Sequence, residues 1–598
     1  MAVTALMSLH VAPQSLVVAL GLAAGLVVFD IRGSGPCRPY STASARDEVV
    51  NRAVPQLSGP HANGCLRSRL LTLSQIRRST MSDHQLSHPT GALAGYPGAR
   101  LALPAALLAS VTMLAAGSAG GGSPAPATTR FPGAAVPSGQ WPYPNGDLAN
   151  TRVAPGSVIS AANVSELREA WSFKLTGKAA AGVSYSGSLT SIPVVSDGVV
   201  YIQDQDANVY ALALATGKLK WEYEVNVPET SGPGPDGVAI ADGTVYGGTQ
   251  GSVFALSAAS GKTVWVDRHL LNKGQGVFEI QPQVAHGRVY LASAKGPGDG
   301  VLIALNAANG HLLWEFNTVL HPSPSVAAIG SGGAWETPLV GSDGSVTFGT
   351  GNPYQSIAEA VEHPSRQLYT DSAVNLDAAT GKLRWYYQAV PDDFMDHDLQ
   401  AAPVSASIKG APVVITAGKM GYVYALDART GALVWKTPVG KHNGHDNDSV
   451  LALAHKLKIR FPYTYEPGGL GGVLSNLAVA GGSVYVATND LPFTATSLTT
   501  YSTTEHPPET GEVEALSLAT GKVEWGTKVP TMPLGAATVS DDLVFTDLYN
   551  GVLVALNRRT GEIVYRRQLP ASANAPIAVF GNTVLVPAGA PETSASGK

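Results

Sequence analysis

Cysteine is almost missing: two residues in 598, Cys37 and Cys65, both upstream of everything periodic in the chain. That excludes a disulfide framework, a cysteine-rich zinc site and a Cys-x-x-Cys-His haem attachment from the remainder, so redox chemistry there needs another cofactor. Charge is scarce as well, at 14% of residues with a formal net charge of -5. No dense block of Lys or Arg runs through the periodic region, which removes nucleic acid from the partners. Long apolar runs are confined to the N-terminal part, at 15–29 and 101–116.

Glycine and proline are abundant, 66 and 41 residues, a composition that suits many short strands and turns. The strands announce themselves through one repeated phrase, an apolar strand, a turn closing on Gly, three residues and an aromatic. Its clearest copy is Val423-Tyr424-Ala425-Leu426-Asp427-Ala428-Arg429-Thr430-Gly431-Ala432-Leu433-Val434-Trp435. Related copies close at Trp221, Trp265, Trp314, Trp385, Trp525 and Tyr565, with Gly217, Gly261, Gly310, Gly381, Gly521 and Gly561 at the turn position that needs positive φ. A hairpin recurring every ~40–50 residues signals the blades of an all-β propeller of four-stranded antiparallel sheets. The segment Glu169-Ala170-Trp171-Ser172-Phe173-Lys174-Leu175 reads as an outermost strand without its hairpin partner, and 576–579 and 583–586 read as two inner strands without an outer pair. Sharing one blade between the two ends gives eight blades and removes exposed sheet edges. The closing aromatics then fill the wedges between sheets; Trp141 and Trp335 fall outside the phrase.

Two readings of the N-terminus stand side by side. In one, residues 100–119 are a signal peptide or membrane segment, with Gly117-Ser118-Ala119 as a small-x-small cleavage site, preceded by an extension over 1–99 whose stretch 15–29 is a further apolar segment. In the other, translation starts at Met81. Both put the body of the chain outside the cytoplasm, periplasmic, secreted or tethered to the outer side of a membrane. Residues 120–140 form a Gly/Pro/Ala/Ser-rich linker, 141–590 the propeller and 591–598 a tail.

The segment Trp141-Pro142-Tyr143-Pro144-Asn145-Gly146-Asp147-Leu148-Ala149-Asn150-Thr151-Arg152, with Asn163-Val164 and Trp171-Ser172-Phe173-Lys174 after it, resembles the opening of the pyrroloquinoline quinone (PQQ) dehydrogenases, the eight-bladed quinoprotein alcohol dehydrogenases and their relatives. Three central stretches strengthen the likeness. Gly332-Gly333-Ala334-Trp335-Glu336-Thr337-Pro338 with Phe348-Gly349-Thr350-Gly351-Asn352-Pro353 is similar to the family segment that supplies a Trp floor under the quinone and an Asn ligand to its calcium. Asp392-Asp393-Phe394-Met395-Asp396-His397-Asp398 is similar to the segment of the catalytic Asp, which falls on Asp396, although Met395 stands where an aromatic is common. Gly418-Lys419-Met420-Gly421 resembles the stretch whose Lys or Arg bonds the quinone oxygens. The resemblance thus implies Asp396 as base and metal ligand, Trp335 and Lys419 on the quinone, and Asn352 on both quinone and metal. In a four-stranded up-and-down blade the second-to-third connection and the exit of the fourth strand share a face, so all four residues are expected at one mouth of the ring.

The sequence also departs from the family. The loop Ala292-Ser293-Ala294-Lys295-Gly296-Pro297-Gly298-Asp299-Gly300 carries Lys295 where the family has its metal-binding Glu, leaving Asp299 or Glu336 as substitutes. The family's adjacent cysteine pair is absent, and no haem domain is fused, so a separate acceptor would collect the electrons. The loop Lys441-His442-Asn443-Gly444-His445-Asp446-Asn447-Asp448 holds two His and two Asp that could bind a metal. Two functions follow: an exported oxidoreductase acting on an alcohol or sugar hydroxyl with PQQ and calcium, or a non-catalytic propeller that binds a peptide, polymer or envelope protein.

Overall fold

Each copy of the repeated phrase folds as the outer hairpin of a four-stranded antiparallel sheet. In the clearest copy the strands Tyr422–Asp427 and Leu433–Pro438 are joined by a turn in which Asp427 Oδ1 accepts from the backbone N–H groups of Arg429 and Thr430, both at 3.0 Å, and Gly431 takes φ +71°. A bulge between Ala425 and Leu426 brings Ala425 opposite Trp435. Trp435 Nε1 then donates to Leu518 O of the next blade at 3.0 Å, and its ring covers Gly521, where a Cβ would come within 2.6 Å of it. Trp171, Trp221, Trp265, Trp314, Trp385 and Trp525 repeat the arrangement over Gly217, Gly261, Gly310, Gly381, Gly431 and Gly561. Seven of the eight blade junctions are thereby fastened by one indole ring and one hydrogen bond, and at the eighth Tyr565 packs its ring without a hydrogen bond among the described residues.

This computed structural model describes residues 25–31, 136–175, 189–225, 236–249, 251–271, 275–294, 300–319, 332–499, 501–502 and 510–589. They belong to one of two compact units of the chain, Met1–Ser34 with Ala127–Lys598; the other, Gly35–Pro126, lies outside them. Eight four-stranded sheets follow one another around the ring. Seven are continuous in sequence, over 194–223, 239–267, 283–317, 339–388, 404–438, 478–529 and 538–568. The eighth runs from Ala578–Phe580 through Thr583–Ala588 and Gly25–Asp30 to Arg168–Lys174.

The eighth blade is shared between the chain ends as expected, but its third strand comes from 25–30. All but Asp30 lie inside the apolar stretch 15–29 that the sequence offers as a targeting segment. A chain beginning at Met81 would lack them. The ambiguity is physical: Leu26 and Val28 pack toward one neighbouring blade while Val27 and Phe29 pack toward the other, all 0–2% exposed. A strand buried on both faces reads as an unbroken apolar run, which is also the composition of an export segment. Burying four such side chains stabilises the ring by roughly 1.5–3 kcal/mol each. Among the described residues no helix is long and apolar enough to cross a membrane.

The segment 141–152 threads the ring instead of joining a blade. Trp141 pairs with Val195, Ala149 O accepts from Ser405 N, and Thr151 O accepts from Val479 N. Asn150 Nδ2 donates to Pro403 O at 3.0 Å. Arg152, fully buried, donates to Ala537 O, Asn145 Oδ1, Thr538 Oγ1 and Ile577 O, and its guanidinium stands 5.7 Å from the Trp141 ring centre. Contacts with at least five blades make this segment an internal brace, which is why Trp141 stands outside the repeated phrase.

Candidate active site at the mouth of the ring

The loop 392–398 is shaped by Asp393, whose carboxylate accepts from the backbone N–H groups of Met395 at 2.9 Å and His397 at 2.8 Å. This tight fold forces Asp396 to φ +61°, a region that non-glycine residues rarely enter and that recurs at functional sites. Met395 points the other way. It is buried in a cluster with Phe394, Ile357, Ala452, Tyr463 and Tyr465 beneath a small three-stranded sheet, Tyr463–Tyr465, Phe493–Ala495 and Tyr501–Ser502, so it supports the loop from behind.

Lys419, in the connection between Ala411–Gly418 and Tyr422–Asp427, stands at the centre of the site. Its Nζ lies 3.1 Å from Asp396 Oδ1 and 2.6 Å from Asp398 Oδ2. The Asp398 side chain is only 1% exposed, whereas that of Asp396 is 43% exposed and faces the mouth. The other Asp398 oxygen accepts from Asn352 N at 2.6 Å, so one carboxylate ties the Asn352 and Lys419 loops together. The preceding Gly351 leaves room for this: a Cβ there would lie 2.7 Å from Asp398 Oδ1 and 3.0 Å from Trp335 Nε1. Trp335 is itself placed by Gly333 O and Asn352 O, which accept from Gly351 N and Gly332 N. Trp335, Asn352, Asp396 and Lys419 therefore converge in one chain of contacts, on the face that strand order assigns them.

The electrostatics follow from this crowding. Although 43% of the Asp396 side chain remains exposed, the surrounding loops withdraw much of the bulk water from it, and this, with the Asp398 charge, outweighs the attraction of Lys419 and pushes the carboxyl up to about 7. Burial opposes the charge on Lys419, but Asp396 and Asp398 together hold it above the ordinary lysine range. Asp371, wholly buried behind them, is raised well above the carboxylate range by burial and by the charges of Asp393, Asp398 and Asp396. Neither Asp371 nor the binding role of Asp398 is picked out by sequence reading, although the spacing Asp396-His397-Asp398 was the available signal.

For a hard cation the telling atom is Asn352 Oδ1, sealed from solvent with no hydrogen-bond donor on it among the described residues. With Asp396 and Asp398 it provides oxygen donors of the kind calcium takes. No three His, Cys, Asp or Glu side chains converge to hold a metal by themselves among the described residues. Glu336 is not in this group: its Oε2 accepts from Asn476 Nδ2 at 2.9 Å, and it faces Arg152. Lys295 and Asp299 lie outside the described residues. The 441–448 loop resolves into two His–Asp pairs: His442 with Asp446, and His445 Nδ1 with Asp448 Oδ2 at 2.8 Å. Asp448 also accepts from Tyr463 at 2.7 Å, which leaves these groups serving the loop.

The fold is thus an eight-bladed propeller whose Lys419 lies between Asp396 and Asp398, close to the Trp335 indole. The family model described as glucose/ethanol/alcohol dehydrogenase, beta-propeller domain, matches residues 141–240 and 293–442, and one described as outer membrane protein assembly factor BamB matches 509–595. The chain is 26% identical over 486 residues to quinoprotein alcohol dehydrogenase PedH of Pseudomonas putida, covering 70% of this chain and 80% of that one. It is 29% identical over 348 residues to quinohemoprotein alcohol dehydrogenase of Comamonas testosteroni, covering 51% of this chain and 48% of the relative, so it spans about half the length of such relatives. Among solved folds, that quinohemoprotein superposes with TM-score 0.65 at 24% identity over 78% of this chain and 80% of its own. A europium-containing methanol dehydrogenase superposes with TM-score 0.62 at 20% identity over 77% and 93%. The family model and these relatives make the ring similar to the PQQ-dependent quinoprotein alcohol dehydrogenases, at 26–29% identity.

Proposed function

We propose that this protein is an exported quinoprotein oxidoreductase that oxidises an alcohol or sugar hydroxyl with PQQ and a bound metal ion, passing electrons to a separate acceptor. The observation that carries the reading is the unpartnered Asn352 Oδ1 beside the Asp396–Lys419–Asp398 group and the Trp335 indole. PQQ, when bound, supplies the electrophilic carbon that accepts hydride, and the metal makes that carbon more electrophilic. Asp396 takes the hydroxyl proton, a task matched by a carboxyl near neutrality that faces the mouth. Lys419 keeps a fixed positive charge where negative charge develops, and Asp398 keeps Lys419 in place. Trp335 offers a flat apolar wall for a fused-ring cofactor. Asn352 and Asp396, with Asp398 beside them, would hold the metal. Calcium suits such hard oxygens, and because one fold neighbour is europium-containing, a lanthanide ion is a second candidate.

The second reading, a non-catalytic propeller binding a peptide, polymer or envelope protein, is favoured by the absence of three converging acidic or His/Cys ligands among the described residues. Purified protein mixed with PQQ and either calcium or a lanthanide, then given a dye acceptor and a panel of alcohols and sugars, separates the two. Dye reduction that disappears in Asp396→Asn supports the enzyme; no binding and no reduction with either metal supports the binding module.

A further inference from the structure

In the eighth blade the third and fourth strands are joined in an unusual way. Elsewhere the phrase closes them with a short turn, five residues between Asp427 and Leu433 in the clearest copy, whereas 137 residues separate Asp30 from Arg168. Despite that, Gly25–Asp30 reproduces the geometry of its counterparts. All six residues pair with Thr583–Ala588 on one side, and the same six pair with Arg168–Lys174 on the other. The bulge falls between Val28 and Phe29 and sets Val28 opposite Trp171, as the bulge of the fifth blade sets Ala425 opposite Trp435. Asp30 occupies the place of Asp427, and Ile31 N donates to Asn582 O beyond the end of the strand. The strand is thus fixed by two hydrogen-bonded edges and two apolar faces, with no tight turn holding it.

We propose that the space between Arg168–Lys174 and Thr583–Ala588 is a strand-acceptor site, filled by Gly25–Asp30 as a separable strand that stays bound when its covalent link to the ring is cut. The ligand such a site takes is an extended apolar segment whose alternate side chains enter both neighbouring blade interfaces. Main-chain pairing supplies the affinity, and Leu26, Val27, Val28 and Phe29 supply the selectivity. Without an occupant, two strand edges lie open, a configuration that natural sheets avoid.

The test uses the full chain with a protease recognition sequence inserted between Met81 and Ser82. After folding and cleavage the sample is passed over a sizing column under native conditions. Residues 1–81 are expected to co-elute with the remainder in equimolar amount, and excess synthetic peptide of residues 22–33 is expected to displace them. The same cleaved protein carrying Val27→Asp and Phe29→Asp is expected to release the fragment. Release of the unsubstituted fragment on cleavage, whether the remainder stays monomeric or precipitates, overturns the proposal, and so does equal retention of the doubly substituted fragment. These outcomes do not depend on PQQ or on turnover.

Discussion

Asp398 holds Lys419: a carboxylate with 1% of its side chain exposed lies 2.6 Å from an ammonium whose side chain is 9% exposed, and its second oxygen caps Asn352 N. Three separate connections of two adjacent blades are tied by that one side chain. Replacing Asp398 by Ala strands Lys419 beside Asp396 alone. Breaking a buried pair from one side costs about 3–5 kcal/mol, which chemical denaturation will register as a lower midpoint. Asp398→Asn, which keeps an acceptor for Asn352 N, is expected to lower PQQ-dependent dye reduction roughly 10- to 100-fold, the usual effect of removing a group that orients a cofactor or metal ligand.

The interblade fastening is testable at a glycine. Gly381 has φ +70°, and a Cβ there would approach the Trp314 ring to 2.7 Å. Gly381→Ala therefore forces the indole out of its slot and strains the turn. Overpacking of this kind costs about 1–3 kcal/mol, and thermal unfolding of the variant at fixed pH measures it. Gly410 has φ +83° with nothing within 4 Å of a Cβ, so Gly410→Ala isolates the backbone contribution and should cost less.

Arg152 gives a prediction about the brace. It is buried beyond reach of water, lowered to about 10 by that burial, and shared among Ala537, Asn145, Thr538 and Ile577 with Glu336 and Asp547 in its field. Arg152→Ala removes four buried hydrogen bonds and leaves Ala537 O, Asn145 Oδ1 and Ile577 O without this donor, at about 1–3 kcal/mol for each group left unsatisfied. Arg152→Lys retains charge but not the fork, and should fall between wild type and Ala.

Glu514 predicts a pH dependence away from the mouth. Burial chiefly, with Glu512 and Asp490 beside it, pushes this carboxyl up to about 7 against the hydrogen bond from Gly440 N. A carboxyl whose folded value exceeds its unfolded one binds its proton more tightly when folded. Its contribution is greatest at low pH and declines as pH rises from the ordinary glutamate range through 7, by roughly 3 kcal/mol at about 1.4 kcal/mol per pH unit. Glu514→Gln should accordingly raise the melting temperature at pH 8 and leave it nearly unchanged at pH 5.

The propeller was legible because its repeat is written in residues with fixed geometric jobs: Asp427 caps the turn, Gly431 supplies positive φ, and Trp435 fills the wedge. Strand order then assigned Trp335, Asn352, Asp396 and Lys419 to one face, where the structure brings them together. What stayed hidden has equally physical reasons. Gly25–Asp30 is apolar on both faces and far from its partners in sequence, so nothing local distinguishes it from an export segment. Asp398 owes its importance to contacts with loops 46 residues away at Asn352 and across the next blade at Lys419. Glu336 was a candidate ligand by adjacency to Trp335, yet successive residues of its loop diverge and it turns to Asn476. The His442–Asp448 loop carried metal-ligand residue types whose spacing suits pairing within the loop better than convergence on an ion.

Hydrogen exchange with and without PQQ, in the presence of calcium and separately of a lanthanide ion, tests the central claim most directly. The account predicts slowed exchange confined to the loops around Trp335, 350–354, 396–398 and 418–421. No change in those loops with either metal, or protection elsewhere on the ring, would contradict a quinone site at this mouth.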